Sequence, residues 1–117
     1  MKVEDLKPFY AQNVGTAGTY LPSKAVPTNM QGGIFWLKVV NKHAGAQDLE
    51  IVQEGVGTAT VDVITFSAQN ETQDFLLSGA DKLVPLYKFR GGQKVKWVPS
   101  AGTVHIYMLW AEGEVLE

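Results

Sequence analysis

From residue 34 to residue 111, short apolar or alternating runs are separated by turns that contain glycine, proline or asparagine. Alternation with a period of two places successive side chains on opposite faces of an extended chain, so these runs predict β-strands. The predicted strands cover residues 34–41, 49–54, 59–66, 86–98 as a hairpin, and 103–111. This pattern predicts an all-β fold, an antiparallel β-sandwich of the jelly-roll or immunoglobulin-like type or a related barrel.

Two of the segments depart from simple alternation. In ATVDVITF (59–66), Val61 and Val63 share one face before the apolar positions change face, which predicts a β-bulge near residue 63. Residues 72–79 leave alternatives open, because their polar lead-in favours a short helix from about Asn70, with a strand or an irregular edge as the nearly equal alternative.

The N-terminal segment, residues 1–33, is interrupted by proline and glycine and shows no sustained periodicity. It is predicted to be an extended N-terminal arm that precedes a β-sandwich domain of residues 34–117. The arm is expected to be held against its own domain or a neighbouring subunit by Phe9, Tyr10, Tyr20, Leu21 and Val26. No signal peptide or transmembrane segment is expected, because the basic head and the long apolar run are both missing.

The segment YKFRGGQKVKW (87–97) turns on two glycines. A loop at 91–93 with one glycine at positive φ places every apolar side chain of a hairpin on one face. It predicts these facing pairs: Phe89 with Val95, Tyr87 with Trp97, and Arg90 with Lys94. It also predicts one outward strip of cations, formed by Lys88, Arg90, Lys94 and Lys96.

Charge is unevenly distributed, although the net charge is only −2. Lysine and arginine are missing between His43 and Asp81, and acidic residues are missing between Lys82 and Ala111. Either the two blocks pair across one sheet, or they lie on opposite sides and the basic hairpin of one copy docks on the acidic block of the next. Nucleic acid is not favoured as a partner, because the chain is slightly acidic and its aromatic residues are predicted away from the cations.

Catalytic and metal-binding patterns are missing from the sequence. Without cysteine there is no disulfide, no thiolate metal site and no cysteine nucleophile. The two histidines, His43 and His105, form no metal-binding pattern, and His105 is expected to be a half-buried, hydrogen-bonded structural residue. No serine lies in a nucleophile elbow. We therefore expect no enzyme, no metal and no cofactor.

The tryptophans raise one alternative function. Trp36, Trp97 and Trp110 fall at positions predicted to be in the core. An exposed coplanar pair among Tyr10, Tyr20, Trp97 and Trp110 would instead favour a carbohydrate-binding β-sandwich module.

The arm, together with the strand and turn series from IFWLKVV (34–40) to HIYMLWAEG (105–113), resembles the small β-sandwich structural proteins of tailed-phage virions. These are decoration, head-completion and tail-associated proteins. The resemblance is architectural and carries over no functional residue. It implies a non-enzymatic virion component, synthesised in the host cytoplasm, that binds its own copies or another virion protein and no membrane. The expected partner-binding residues are Lys88, Arg90, Lys94, Lys96, Phe9, Tyr10 and Tyr20.

Overall fold

The computed structural model describes residues 6–76 and 85–114, which form nine strands and no helix. The strands are β1 Lys7–Val14, β2 Thr19–Tyr20, β3 Met30–Asn41, β4 Gln47–Glu54, β5 Ala59–Phe66, β6 Thr72–Leu76, β7 Tyr87–Arg90, β8 Lys94–Pro99 and β9 Val104–Glu114. Sheet A has the order β1-β9-β3-β6, with β7 also paired to β3, and sheet B has the order β2-β8-β4-β5. All pairs are antiparallel, so the predicted all-β sandwich is confirmed.

The core lies between the two sheets and follows the alternation of the sequence. From Leu37 onward in β3, and from Val104 to Trp110 in β9, every second side chain is buried, and these side chains meet those of sheet B. The cluster includes Leu37, Val39, Ile106 and Met108 from sheet A and Leu49, Ile51, Phe66 and Trp97 from sheet B. Each such side chain stabilises the fold by about 1.5–3 kcal/mol through burial.

Strand β5 contains the predicted bulge, displaced by two residues. Its register against β4 shifts between Ile51 and Val52, which leaves Val61 as the extra residue. After the bulge the strand alternates regularly, with Ile64 buried and Val63 exposed.

The segment after Asn70, for which the sequence left a helix or a strand open, forms strand β6. Asn70 has a φ of 63°, which a right-handed helix does not contain, and residues 72–76 pair with β3. The remainder of the predicted segment, 77–79, lies outside the described residues.

The predicted hairpin at 86–98 is wrong. Strand β7 pairs with β3 of sheet A, whereas β8 pairs with β2 and β4 of sheet B. The chain crosses between the sheets through a turn in which Gly92 has a φ of 87° and the Gln93 N–H donates to the Arg90 carbonyl at 3.1 Å. The expected facing pairs therefore do not form, although Phe89, Val95 and Trp97 are buried as predicted and Tyr87 is half-buried.

The described part of the predicted arm, residues 6–33, packs on its own sandwich. Strand β1 pairs with β9, and β2 pairs with β8. Leu21 and Val26 belong to the core cluster. Strand β3 begins at Met30, so the segment joins the sheet before residue 34.

One tryptophan is not where the sequence predicts it. Trp97 and Trp110 are buried, but Trp36 is half-buried on the outer face of sheet A, where its Nε1–H donates to Asp74 at 2.8 Å. A register shift at Phe35 lets both Ile34 and Leu37 face the core, and this turns Trp36 outward.

Candidate assembly surfaces

Strand β5 forms one end of sheet B, and no other described strand than β4 pairs with it. Two of its backbone groups bond to side chains on the open side. The Val63 N–H donates to Asp62 Oδ1 at 2.8 Å, and the Thr65 carbonyl accepts from Gln73 Nε2 at 2.6 Å. Val61 and Val63 are 36% and 45% exposed, which is high for apolar side chains. Within residues 6–76 and 85–114 this is therefore an open sheet edge with apolar side chains beside it.

Strand β1 forms one end of sheet A and pairs, within the described residues, only with β9. Its ladder is regular over residues 7–11 and then shifts before Val14. In the irregular part, Asn13 has a φ of 57° and its N–H donates to His105 Nδ1 at 3.1 Å. His105 is thus the half-buried, hydrogen-bonded histidine that the sequence predicts.

Strands β1 and β5 lie on opposite flanks of the sandwich, where β6 and β7 end sheet A on the flank of β5 and the two-residue strand β2 ends sheet B on the flank of β1. Strand β1 packs near β8 of the facing sheet, whereas β6 reaches β5 through the bond from Gln73 to Thr65. Because each sheet has one of these strands at its end, an incoming strand can extend sheet A at one flank and sheet B at the other.

The flanks differ in charge. Residues 59–76, which include β5 and β6, carry the acids Asp62, Glu71 and Asp74 and no lysine or arginine. Hydrogen bonds from the hydroxyl and N–H of Ser67 lower the pKa of Glu71, which keeps this carboxyl ionised. Residues 6–30, on the flank of β1, carry Lys7 and Lys24 and no acid.

The predicted strip of four cations does not exist, because its members lie on two sheets. Lys94 and Lys96 of β8 lie over the ring of Tyr20, with Nζ to centroid distances of 5.1 and 5.6 Å. The Tyr20 hydroxyl donates to Glu54 at 2.6 Å, and Lys96 Nζ lies 3.7 Å from the same carboxylate. This hydrogen bond to Glu54 raises the pKa of Tyr20.

Glu54, Lys94 and Lys96 follow the first of the two alternatives for the charged blocks, in which acidic and basic residues pair across one sheet. Lys88 and Arg90 are instead exposed on sheet A, in register with Gly33 and Gln31 of β3. The structure therefore brings Tyr20, Lys94 and Lys96 together and separates them from Lys88 and Arg90.

Two further predicted contact residues lie on neighbouring positions of β1 and point to opposite faces. Phe9 is half-buried against the core, whereas Tyr10 is 69% exposed on the outer face of sheet A. The Tyr10 ring stacks on Tyr107 of β9, with centroids 6.2 Å apart and planes inclined by 23°. Sequence reasoning missed Tyr107, although its place between buried Ile106 and Met108 in an alternating strand indicates an outward side chain.

The described residues contain no group of three or more histidine or acidic side chains close enough to hold a metal ion. A groove of about 640 Å³ beside the start of β1 is lined mainly by apolar side chains, with Lys7, Lys24 and Glu112 as its charged members. Residues 6–76 and 85–114 include no helix of the length and apolarity needed to cross a bilayer.

No protein family and no curated protein matches the sequence. The chain is similar in structure to one from Bacillus endospore appendages, described as forming a novel family of disulfide-linked pili. The two share 12% sequence identity at a TM-score of 0.53, over 95% of this chain and 88% of the other. The likeness shows the sandwich fold. These 117 residues contain no cysteine, so they form no disulfide of their own.

Proposed function

We propose that this protein is a non-enzymatic structural subunit that assembles with its own copies, and that the assembly is part of a virion. The observation that carries the proposal is that β1 and β5, on opposite flanks, each have one edge with which no other described strand pairs. The similarity to a chain of endospore pili supports a structural role. The resemblance to tailed-phage structural proteins supports the virion as the setting.

An open edge presents backbone N–H and C=O groups that another chain can pair with. Two different edges on opposite flanks favour heterologous contacts, which generate rings or filaments. The exposed residues Lys88, Arg90 and Tyr10 would add contacts on the outer face of sheet A, and Lys94, Lys96 and Tyr20 would do so on sheet B. Phe9 would contribute by holding β1 in place.

The oligomeric state tests this function. We expect the purified protein to form oligomers whose mass, measured by light scattering, rises with concentration, and to show rings or filaments in negative-stain electron microscopy. A protein that stays monomeric up to millimolar concentration, both alone and mixed with purified virions, would contradict the proposal. Detection of the chain in purified virions by mass spectrometry tests the setting separately.

Carbohydrate binding is the second candidate function, and the stacked Tyr10 and Tyr107 rings favour it. The Tyr10 ring is exposed and stacks on the half-buried Tyr107 ring with the planes inclined by 23°, so its outer face suits stacking against the apolar face of a sugar ring. Tyr107 was not among the four candidates for an exposed pair, and two of those candidates, Trp97 and Trp110, are buried. A glycan array with the protein and its Tyr10→Ala variant tests this function. Binding that the variant loses supports it, and an array without hits overturns it.

A further inference from the structure

We infer that β5 of one copy pairs with β1 of the next copy, so that sheet B of one subunit continues into sheet A of its neighbour. This inference rests on the proposed function and names the contact that performs it. The partner is a second copy of this chain, and the contact is head-to-tail.

The two edges have regular stretches of the same length. The ladder of β1 is regular over residues 7–11, and β5 is regular after its bulge, over residues 62–66, five residues in each case. The irregular positions that follow Ala11 and surround Val61 limit pairing to these stretches, because a bulge bends the strand away from a straight partner. Each edge therefore offers one matching segment.

Four residues direct backbone groups to the open sides of β1 and β5. Proline fits in a sheet only where its missing N–H faces away from the ladder, so Pro8 and, two residues later, Tyr10 direct their backbone groups to the open side of β1. On β5 the open-side residues are Val63 and Thr65, whose N–H and carbonyl bond to side chains rather than to β4. These four residues provide the acceptors and donors of the new ladder.

The existing side-chain bond at the β5 edge is readily replaced. An incoming backbone N–H would take the Thr65 carbonyl from Gln73. The Gln73 amide also donates to Glu71 Oε2 at 2.9 Å, so it keeps a partner when it releases Thr65. Asp62 likewise keeps the Tyr87 hydroxyl as a donor when an incoming carbonyl takes the Val63 N–H, so each side chain retains one partner and the cost of the exchange stays low.

Charge selects the head-to-tail arrangement over pairing of identical edges. Two β5 edges paired antiparallel over residues 62–66 would bring Asp62 of each copy near Glu71 of the other, whereas two β1 edges would place Lys7 opposite Ala11 with no acid of residues 6–30 beside it. Like charges that face each other across strands are destabilising. A β5 edge antiparallel to a β1 edge instead pairs residues 62–66 with residues 11–7, which places Glu71, bonded to Ser67 next to Phe66, near Lys7. Nearby charges of the other sign are Lys38 and Lys42 behind β6 and Glu112 behind β1; they reduce this preference without reversing it.

Val63→Lys tests the contact, because a cation at an open edge opposes strand addition. We expect it to raise the concentration needed for assembly by about tenfold or more. The matched control is Val56→Lys, which places the same charge at a 59% exposed position in the turn after β4, away from the β5 edge. It should assemble like the unchanged protein. Circular dichroism should show strand content unchanged in both variants.

Cysteine cross-linking tests the pairing directly, since the chain has no cysteine of its own. Val63→Cys and Gln12→Cys variants are mixed as dilute protein, concentrated and treated with a short bis-maleimide. We expect cross-linked dimers in the mixture and none in either variant alone.

The outcomes separate the two proposals. Cross-linking of Val63→Cys alone, or oligomers that Val63→Lys leaves unchanged, would overturn the pairing of β5 with β1 while leaving self-assembly intact. An unchanged protein that stays monomeric would overturn both.

Discussion

Tyr87 of β7 donates a hydrogen bond from its hydroxyl to Asp62 of β5, and this bond joins sheet A to sheet B. The other oxygen of Asp62 accepts the Val63 N–H at 2.8 Å. Burial, followed by the bond to Asp62, raises the pKa of Tyr87, so the phenol remains a donor at neutral pH. The Asp62 carboxylate thus joins the two sheets and also accepts a hydrogen bond from a backbone N–H at the open edge of β5.

Tyr87→Phe removes the hydroxyl and leaves the half-buried Asp62 carboxylate without this donor. We expect the free energy of unfolding to fall by about 1–2 kcal/mol, because an ionised acceptor loses a charged hydrogen bond in a partly desolvated place. Urea denaturation followed by tryptophan fluorescence measures it. Tyr10→Phe is the control, because the Tyr10 side chain is largely exposed and should change stability little. Equal stability of the two variants would show that the bond does not contribute.

Asn41 is a fully buried polar residue whose side chain holds three segments together. Its amide nitrogen donates to the carbonyls of Gly45 and Ala68 at 2.9 and 2.8 Å, and its oxygen accepts from Gln47 at 2.7 Å and from the His43 N–H at 3.0 Å. Asn41→Leu leaves these groups without their partner, so we expect a loss of about 2–4 kcal/mol in thermal or urea unfolding.

Asn29→Leu is the control for this substitution, because Asn29 is exposed between Pro27 and β3. It should change the free energy of unfolding by less than about 0.5 kcal/mol. A similarly small effect at Asn41 would mean that water replaces the lost bonds.

The carboxyl group of Glu71 makes the stability of the fold depend on pH. Hydrogen bonds from Ser67 and Gln73 lower its pKa in the folded state, so folding favours the ionised form. This stabilisation is fully present above the pKa of the unfolded chain and is lost as the pH falls through the lowered folded value. We expect Glu71→Gln to show a smaller decrease in stability between pH 6 and pH 3, roughly the range in which carboxyl groups titrate.

Glu50→Gln is the matched control for the acid series, since Glu50 is exposed on β4 and makes none of the side-chain hydrogen bonds found among the described residues. Its stability should follow the unchanged protein across the same pH range. Parallel curves for Glu71→Gln and the unchanged protein would contradict the role of Glu71.

Gly92→Ala tests the turn by which the chain passes from sheet A to sheet B. Because Gly92 has a φ of 87°, a side chain there costs about 1–2 kcal/mol. Gly45→Ala is the control, since a Cβ at Gly45 meets no atom within 4 Å and its φ is not positive. Unfolding midpoints of the two variants measure the difference, and a Gly92→Ala protein as stable as Gly45→Ala would show that the turn relaxes.

The candidate contact residues were only partly accessible from sequence. Lys88 and Arg90 were predicted to face outward from alternation, and both are exposed, whereas Tyr10 was predicted to anchor the arm and is 69% exposed instead. The stacking of Tyr10 on Tyr107 could not be predicted, because the two residues are brought together by pairing of the first and last strands. The open edges were also hidden, since strand order in a sheet depends on long-range contacts.

By itself the sequence determined most strands from residue 34 onward and most of the side chains that face the core, because a period of two follows from the geometry of each extended segment. It did not predict β1 and β2, whose segment shows no sustained alternation. It placed Phe89, Val95 and Trp97 inside correctly. Only the tertiary structure decided which strands pair. Two strands that pair as a hairpin and two that face each other from opposite sheets bury the same alternate residues, so the pattern in 87–97 fits both. Pairing with strands that are distant in the sequence decides between them: β7 pairs with β3, whereas β8 pairs with β4 and β2.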